Sequence, residues 1–144
     1  DHHVKLCELS SQGKRWKDKS PLTLPMQHPA DLTVLSEKCL LMTYGIRNRG
    51  LMGIGVRISI DGGTNWRPPW VIHQFGPEAK DIGYPSTVLL DKKGNLLTAF
   101  YTDYEPSLKK KPNRYRVLAK KWSLKDWLHP SIIDSISDGK QLKI

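Results

Sequence analysis

Short runs rich in Val, Ile, Leu, Thr and aromatic residues recur along the chain, and clusters of Gly, Pro, Asn, Asp and Lys separate them. The runs fall at 4–9, 32–35, 40–45, 53–60, 87–90, 96–102 and 115–122. Runs of this length and composition are typical of β-strands, and ten prolines and eleven glycines leave little room for long helices. The sequence therefore predicts an all-β fold, with one helical turn at 123–128 that Ser123 caps.

Two hairpins, at 32–44 and 87–101, look like copies of one unit. Pro29 and Pro85 lie 56 residues apart, and the two hairpins follow at the same offset. This interval is close to the length of one propeller blade. A β-sandwich with similar hairpins is the alternative architecture. On the propeller interpretation, we expect blade-like units at about 1–25, 26–80 and 81–128.

The pattern S-x-D-x-G-x-x-W follows the 53–60 run and is formed by Ser59, Asp61, Gly63 and Trp66. An aspartate here can accept hydrogen bonds from backbone N–H groups of its own turn, and glycine permits positive φ. The tryptophan can fold back and bury the hairpin. We therefore interpret these four residues as structural. A shorter version at 10–16, with glutamine in place of the aspartate, predicts an equivalent turn in an earlier unit.

This pattern resembles the Asp box of the sialidase superfamily, also known as BNR-repeat proteins, whose members are β-propellers. Residues 28–47 and 81–86 are similar to bacterial-type members, so the resemblance covers roughly 28–102. It implies a six-bladed type of propeller built from four-stranded antiparallel blades. Because a propeller closes with about four to eight blades, we expect this chain to be a partial propeller of two to three blades, completed by other blades or another chain.

The resemblance also implies a chemistry. Sialidases remove terminal sialic acids from glycoconjugates with a tyrosine nucleophile paired with a glutamate, and with arginines that hold the sugar's carboxylate. A phenol suits this task, because a carboxylate nucleophile would be repelled by the carboxylate on the anomeric carbon. The resemblance assigns Tyr84 as nucleophile, Asp31 to the region of the activating acid, and Arg47, with Arg49 as its substitute, to carboxylate binding.

Two departures from the family pattern keep other interpretations open. Tyr84 is followed by Pro85, as in a packing turn, and Asp31 stands in a segment that contains no glutamate. Arg47 is equally compatible with an exposed loop position. The alternative function is a non-catalytic Asp-box propeller that binds glycans or proteins.

The chain is basic, with a formal net charge of +9. Much of this charge lies at 109–121, where Pro106 and Pro112 flank three lysines as in a solvated loop, and no nucleic-acid-binding motif accompanies them. We interpret the charge as solubilising or as a general attraction to anionic ligands. The expected partner is a sialic acid-bearing carbohydrate, and no nucleic-acid partner is expected.

The remaining features point to no further chemistry. The apolar runs are strand-sized and far short of the roughly 20 residues of a membrane span, so we expect no membrane partner. Cys7 and Cys39 lack the spacing of a zinc site, so no metal and no cofactor is expected, and their pairing stays open. The first residues lack the pattern of a secretory signal. The compartment is not readable from the residues, although the family resemblance implies a secreted or extracytoplasmic location.

Overall fold

A computed structural model of the chain describes residues 2–104 and 115–137. These residues form nine strands in antiparallel sheets, and strands account for 51% of the structure, which confirms the predicted all-β class. The strands are β1 Lys5–Leu9, β2 Trp16–Pro21, β3 Gln27–Val34, β4 Leu40–Ile46, β5 Gly53–Ser59, β6 Trp70–Gln74, β7 Ile82–Leu89, β8 Asn95–Thr102 and β9 Arg116–Ser123.

The nine strands are divided among three sheets of consecutive strands. The N-terminal sheet is the β1–β2 hairpin, the central sheet has the order β3-β4-β5-β6, and the C-terminal sheet has the order β7-β8-β9. Sequential antiparallel strands need only short connections, which agrees with the dense turn signals of the sequence. Each sheet is therefore a local unit, and the fold is determined by how the units pack on one another.

The central sheet lies between the other two. Every residue of β4 after Leu40 is buried, as expected of a strand covered on both faces. One face packs in the main core, whose members from the central and C-terminal sheets include Leu41, Ile54, Val56, Leu96 and Phe100. The other face forms a second core of Leu22, Met42, Tyr44 and Ile46, against which Val4, Leu6 and Trp66 pack.

The two larger hairpins differ by one residue at their turns. The pair Leu35–Cys39 closes the first turn and encloses three residues, whereas the pair Leu90–Asn95 closes the second and encloses four. The offset between the hairpins is therefore 55 residues before the turn and 56 after it. The sequence alone predicted 56 throughout, because an extra turn residue leaves no signal in the apolar pattern.

The helical turn predicted after β9 is confirmed. Leu124–Asp126 is a 3-10 helical turn, and the Ser123 hydroxyl oxygen accepts a hydrogen bond from the Lys125 N–H at 3.3 Å. A second helix, α1 at Pro130–Ser137, was not predicted. It places Ile133 and Ile136 in the main core, and no helix of the described residues is long and apolar enough to span a bilayer.

Candidate functional site

The turn after β5 is organised by the side chains of Ser59 and Asp61. Ser59 Oγ donates to Asp61 Oδ1 at 2.8 Å and accepts from the Gly63 N–H at 2.8 Å. Asp61 accepts the backbone N–H of Asn65 at 2.9 Å and its side-chain amide at 2.8 Å. These bonds, led by the Asn65 backbone N–H, hold the pKa of Asp61 below its usual range. All of them are local, so this carboxylate stabilises its own turn.

Trp66 closes the same turn. Its indole Nε1 donates to the Gly63 carbonyl at 3.1 Å, and its partly buried ring packs against the second core. The ring therefore attaches the turn to the central sheet. The ring is partly rather than fully buried, and in the described part of the chain the sheet on this face is the two-stranded β1–β2 hairpin.

Arg57, which sequence reasoning missed, is a second residue that joins the turn to the rest of the fold. Its guanidinium donates to the carbonyls of Arg67 at 2.8 Å, Leu22 at 2.7 Å and Trp66 at 3.1 Å. The planar array of donors suits several carbonyls at once. Nothing in the sequence distinguishes this arginine from an exposed one, because its partners lie up to 35 residues away.

In the turn between β1 and β2, a side-chain oxygen also accepts backbone N–H groups, but fewer side chains take part. Ser10 Oγ accepts the N–H groups of Lys14 at 3.3 Å and Arg15 at 3.2 Å, where a serine alone replaces the missing aspartate. Trp16 is 68% exposed. Trp16 therefore lies largely in solvent, whereas Trp66 packs against the second core.

A third turn of this kind lies between β7 and β8, where the sequence predicts a hairpin turn but not the hydrogen bonds that its aspartate accepts. Asp91 accepts the N–H groups of Lys93 at 2.8 Å and Asn95 at 3.2 Å, and it accepts the Asn95 side-chain amide at 2.7 Å. The signal that could have found it is an aspartate followed four residues later by an asparagine. Asp61 and Asn65 show the same spacing.

Arg47 and Asp81 bring the central and C-terminal sheets together at one end. Arg47 follows β4, Asp81 precedes β7, and the distance from Arg47 Nη2 to Asp81 Oδ1 is 2.5 Å. Both side chains keep about a quarter of their surface exposed, 27% and 25%. The arginine predicted to bind a ligand carboxylate is thus already paired with a carboxylate of its own chain.

Two tyrosines also bind Asp81. The Tyr101 hydroxyl donates to Asp81 Oδ1 at 2.8 Å. Burial, followed by this hydrogen bond, raises the pKa of Tyr101 to about 12. A hydrogen bond with Asp81 is the main cause of the raised pKa of Tyr115. Asp81 therefore gathers one guanidinium and two phenols, and sequence reasoning missed all three of Asp81, Tyr101 and Tyr115.

Tyr84, the predicted nucleophile, stands beside this group at the start of β7. Its backbone has φ +47°, unusual for a residue other than glycine, and its side chain is 68% exposed. Its ring centroid lies 5.7 Å from that of Tyr101, which in turn lies 5.5 Å from that of Tyr115. Within the described residues, the Tyr84 hydroxyl forms no hydrogen bond.

Asp31 and Arg49, the other two predicted site residues, are not part of this group. Asp31 Oδ2 accepts the Thr87 N–H at 2.9 Å and the Thr33 hydroxyl at 3.5 Å, so it connects β3 to β7. No hydrogen bond joins Asp31 to Tyr84 in residues 2–104 and 115–137. Arg49 is exposed in the loop after β4 and forms no ion pair in that part of the chain.

The cysteines and the described acidic groups form no cluster that could hold a metal ion. Cys7 is exposed, Cys39 is buried, and both are free. Among the residues that the structure describes, no cluster of three or more His, Cys, Asp or Glu side chains could hold a metal ion. No protein-family model, curated protein or solved structure matches the chain. The side chains around Arg47 and Asp81 are therefore the basis for a functional proposal.

Trp66→Ala should lower the free energy of unfolding by about 2 to 3 kcal/mol, somewhat less than for a fully buried tryptophan, because part of the ring is exposed. Trp16→Ala is the matched control and should cost less than about 0.5 kcal/mol. Urea unfolding followed by circular dichroism measures both variants. Equal shifts for the two variants would contradict the assignment of Trp66 to the second core.

Tyr101 should ionise at about pH 12. Because the pKa of Tyr101 in the folded chain is raised above the ordinary tyrosine value, the neutral phenol stabilises the folded state at any pH below that ordinary pKa. This contribution to the free energy of unfolding is lost as the pH rises through the folded-state pKa. Absorbance titration at 295 nm measures this ionisation, with Tyr101→Phe subtracted to isolate the residue. Asp81→Asn should shift the titration toward lower pH, and an unchanged titration would mean that Asp81 does not hold the phenol.

Proposed function

We propose that this chain is part of a sialidase-like Asp-box propeller. We also propose that the site around Arg47 and Asp81, where β4 ends and β7 begins, binds a sugar that carries a carboxylate, such as the terminal sialic acid of a glycoconjugate. The observation that carries the proposal is the convergence of Arg47 with Tyr84 and Tyr101 at one end of two neighbouring sheets. A guanidinium supplies paired donors for a carboxylate, and the phenols supply hydroxyls and apolar rings.

The Arg47–Asp81 pair determines how such a ligand would bind. Only Nη2 of Arg47 contacts Asp81, and in the described part of the chain Nε and Nη1 form no hydrogen bond. A ligand carboxylate can therefore approach the remaining donors without breaking the ion pair. Asp81 holds the guanidinium in place and also reduces its net attraction for anions, so affinity depends on geometry more than on charge.

The resemblance to sialidases extends the proposal to hydrolysis of terminal sialic acids, with Tyr84 as nucleophile. Its exposed hydroxyl is accessible to a substrate. Hydrolysis also needs an activating carboxylate beside Tyr84 and an acid/base group. Asp31 does not supply the first, because its carboxylate is bonded to the backbone of β7. In this proposal both groups come from outside the described residues.

A second candidate function is non-catalytic binding of glycans or proteins by the same propeller. The engagement of Asp31 with Thr87, which leaves Tyr84 without an activating carboxylate among the described residues, favours this alternative. Binding of sialosides without release of a fluorogenic reporter sugar would support it. Turnover that is lost in Tyr84→Phe would support hydrolysis.

Arg47→Lys should weaken binding of a carboxylate-bearing sialic acid analogue by about ten- to hundredfold, because an ammonium keeps the charge but loses the planar donors. Arg49→Lys is the matched control and should change affinity less than about twofold, as expected of an exposed cation. Isothermal titration of the 144-residue chain at two salt concentrations measures both. Equal affinities for the native chain and Arg47→Lys would remove Arg47 from the binding site.

A further inference from the structure

We propose that the apolar face of a pyranose ring stacks on an aromatic platform beside the Arg47–Asp81 pair, in which Tyr84 and Tyr101 provide the tilted rings and Tyr115 stands edge-on at the side. The inference deepens the proposed function and rests on it, since it takes the ligand to be a sugar. It adds a contact that does not need the carboxylate. The platform would therefore also hold neutral sugar rings of the same glycan.

The three rings form a continuous and accessible group. Tyr101 lies in the middle: its ring centroid is 5.7 Å from that of Tyr84 with the planes tilted by 33°, and 5.5 Å from that of Tyr115, whose ring is edge-on at 69°. The outer two residues are 68% and 62% exposed, which is unusual for aromatic side chains that already contact another ring. The described residues therefore leave the rings of Tyr84 and Tyr115 open to a ligand.

The backbone and the hydrogen bonds hold the rings in place before any ligand arrives. Tyr101 pairs with Gly83 on one side and with Val117 on the other, so it stands on the middle strand of its sheet. Its hydroxyl is anchored on Asp81. Tyr84 projects from a left-handed backbone position, next to Gly83 at φ +150°. Strained positions of this kind cluster at ligand sites, where a side chain must be held in one orientation.

The surroundings of the rings favour a sugar over a flat apolar partner. One face of a pyranose ring presents C–H groups that can pack on an aromatic ring, while its edge carries hydroxyls that need polar partners. The platform supplies both kinds of contact, because Asp81 and Arg47 lie at its edge with part of their surface exposed. Tyrosine is well suited to such a site, because it offers apolar area and a polar tip at small entropic cost.

The test uses the full chain with two probes, 3′-sialyllactose, which carries a carboxylate, and lactose, which does not. Tyr84→Ala and Tyr115→Ala should each weaken binding of both probes by about tenfold or more. Tyr84→Phe keeps the ring and loses only the hydroxyl, so it should lose less affinity for both probes than Tyr84→Ala. Trp16→Ala, which removes an equally exposed aromatic from another sheet, should leave both affinities unchanged.

The outcomes separate the platform from the proposed function. If Arg47→Lys weakens binding of sialyllactose while both tyrosine-to-alanine variants bind normally, the platform is wrong and the carboxylate site stands. If neither probe binds the native chain, both are wrong. Sedimentation at several concentrations gives the third comparison: a dimer that Tyr84→Ala dissociates would mean that a second copy covers the rings. Unfolding curves of each variant confirm that a lost affinity is not a lost fold.

Discussion

Thr87 provides hydrogen bonds that join the central sheet to the C-terminal sheet beside their shared apolar core. Its N–H donates to Asp31 at 2.9 Å, its carbonyl accepts the Thr33 hydroxyl at 3.1 Å, and its own hydroxyl contacts those of Thr43 at 3.1 Å and Thr98 at 2.9 Å. Because β7 is an edge strand, these backbone groups would otherwise lack partners in a buried position. Side chains of β3 thus replace the missing strand neighbour.

This arrangement places the candidate site. With β3 and β4 held against β7, the end of β4 and the beginning of β7 meet at the same edge of the two sheets. Arg47 and Asp81 are the residues at these two positions, and their ion pair closes the edge. Tyr101 and Tyr115 also form hydrogen bonds with the Asp81 carboxylate. The candidate site therefore lies at the edge of the same interface to which the hydrogen bonds of Thr87 belong.

The sequence predicted what depends on neighbouring residues. Seven of the nine described strands, the two hairpins, the turn capped by Ser123 and the box-like turn at Ser59–Trp66 follow from residue composition and turn chemistry within a few residues, whereas β2 and β6 were not predicted. Contacts between distant segments left no such signal. The resemblance assigns Asp31 to the region of the activating acid, and its hydrogen bond to Thr87, 56 residues away, could not be read from neighbouring residues. Asp81 is likewise joined to Arg47 only by the packing of two sheets.

The most direct test of this account is amide hydrogen exchange at Thr87, measured by NMR in the native chain, in Asp31→Ala and in Asp31→Asn. The account predicts a protected Thr87 amide, although it lies on an edge strand, and exchange at least about tenfold faster in Asp31→Ala. Asp31→Asn keeps an acceptor oxygen and should retain most of the protection, while the amide of Val56 inside the central sheet should not change. Equal Thr87 exchange in the native chain and Asp31→Ala would contradict the claim that this bond holds the two sheets together.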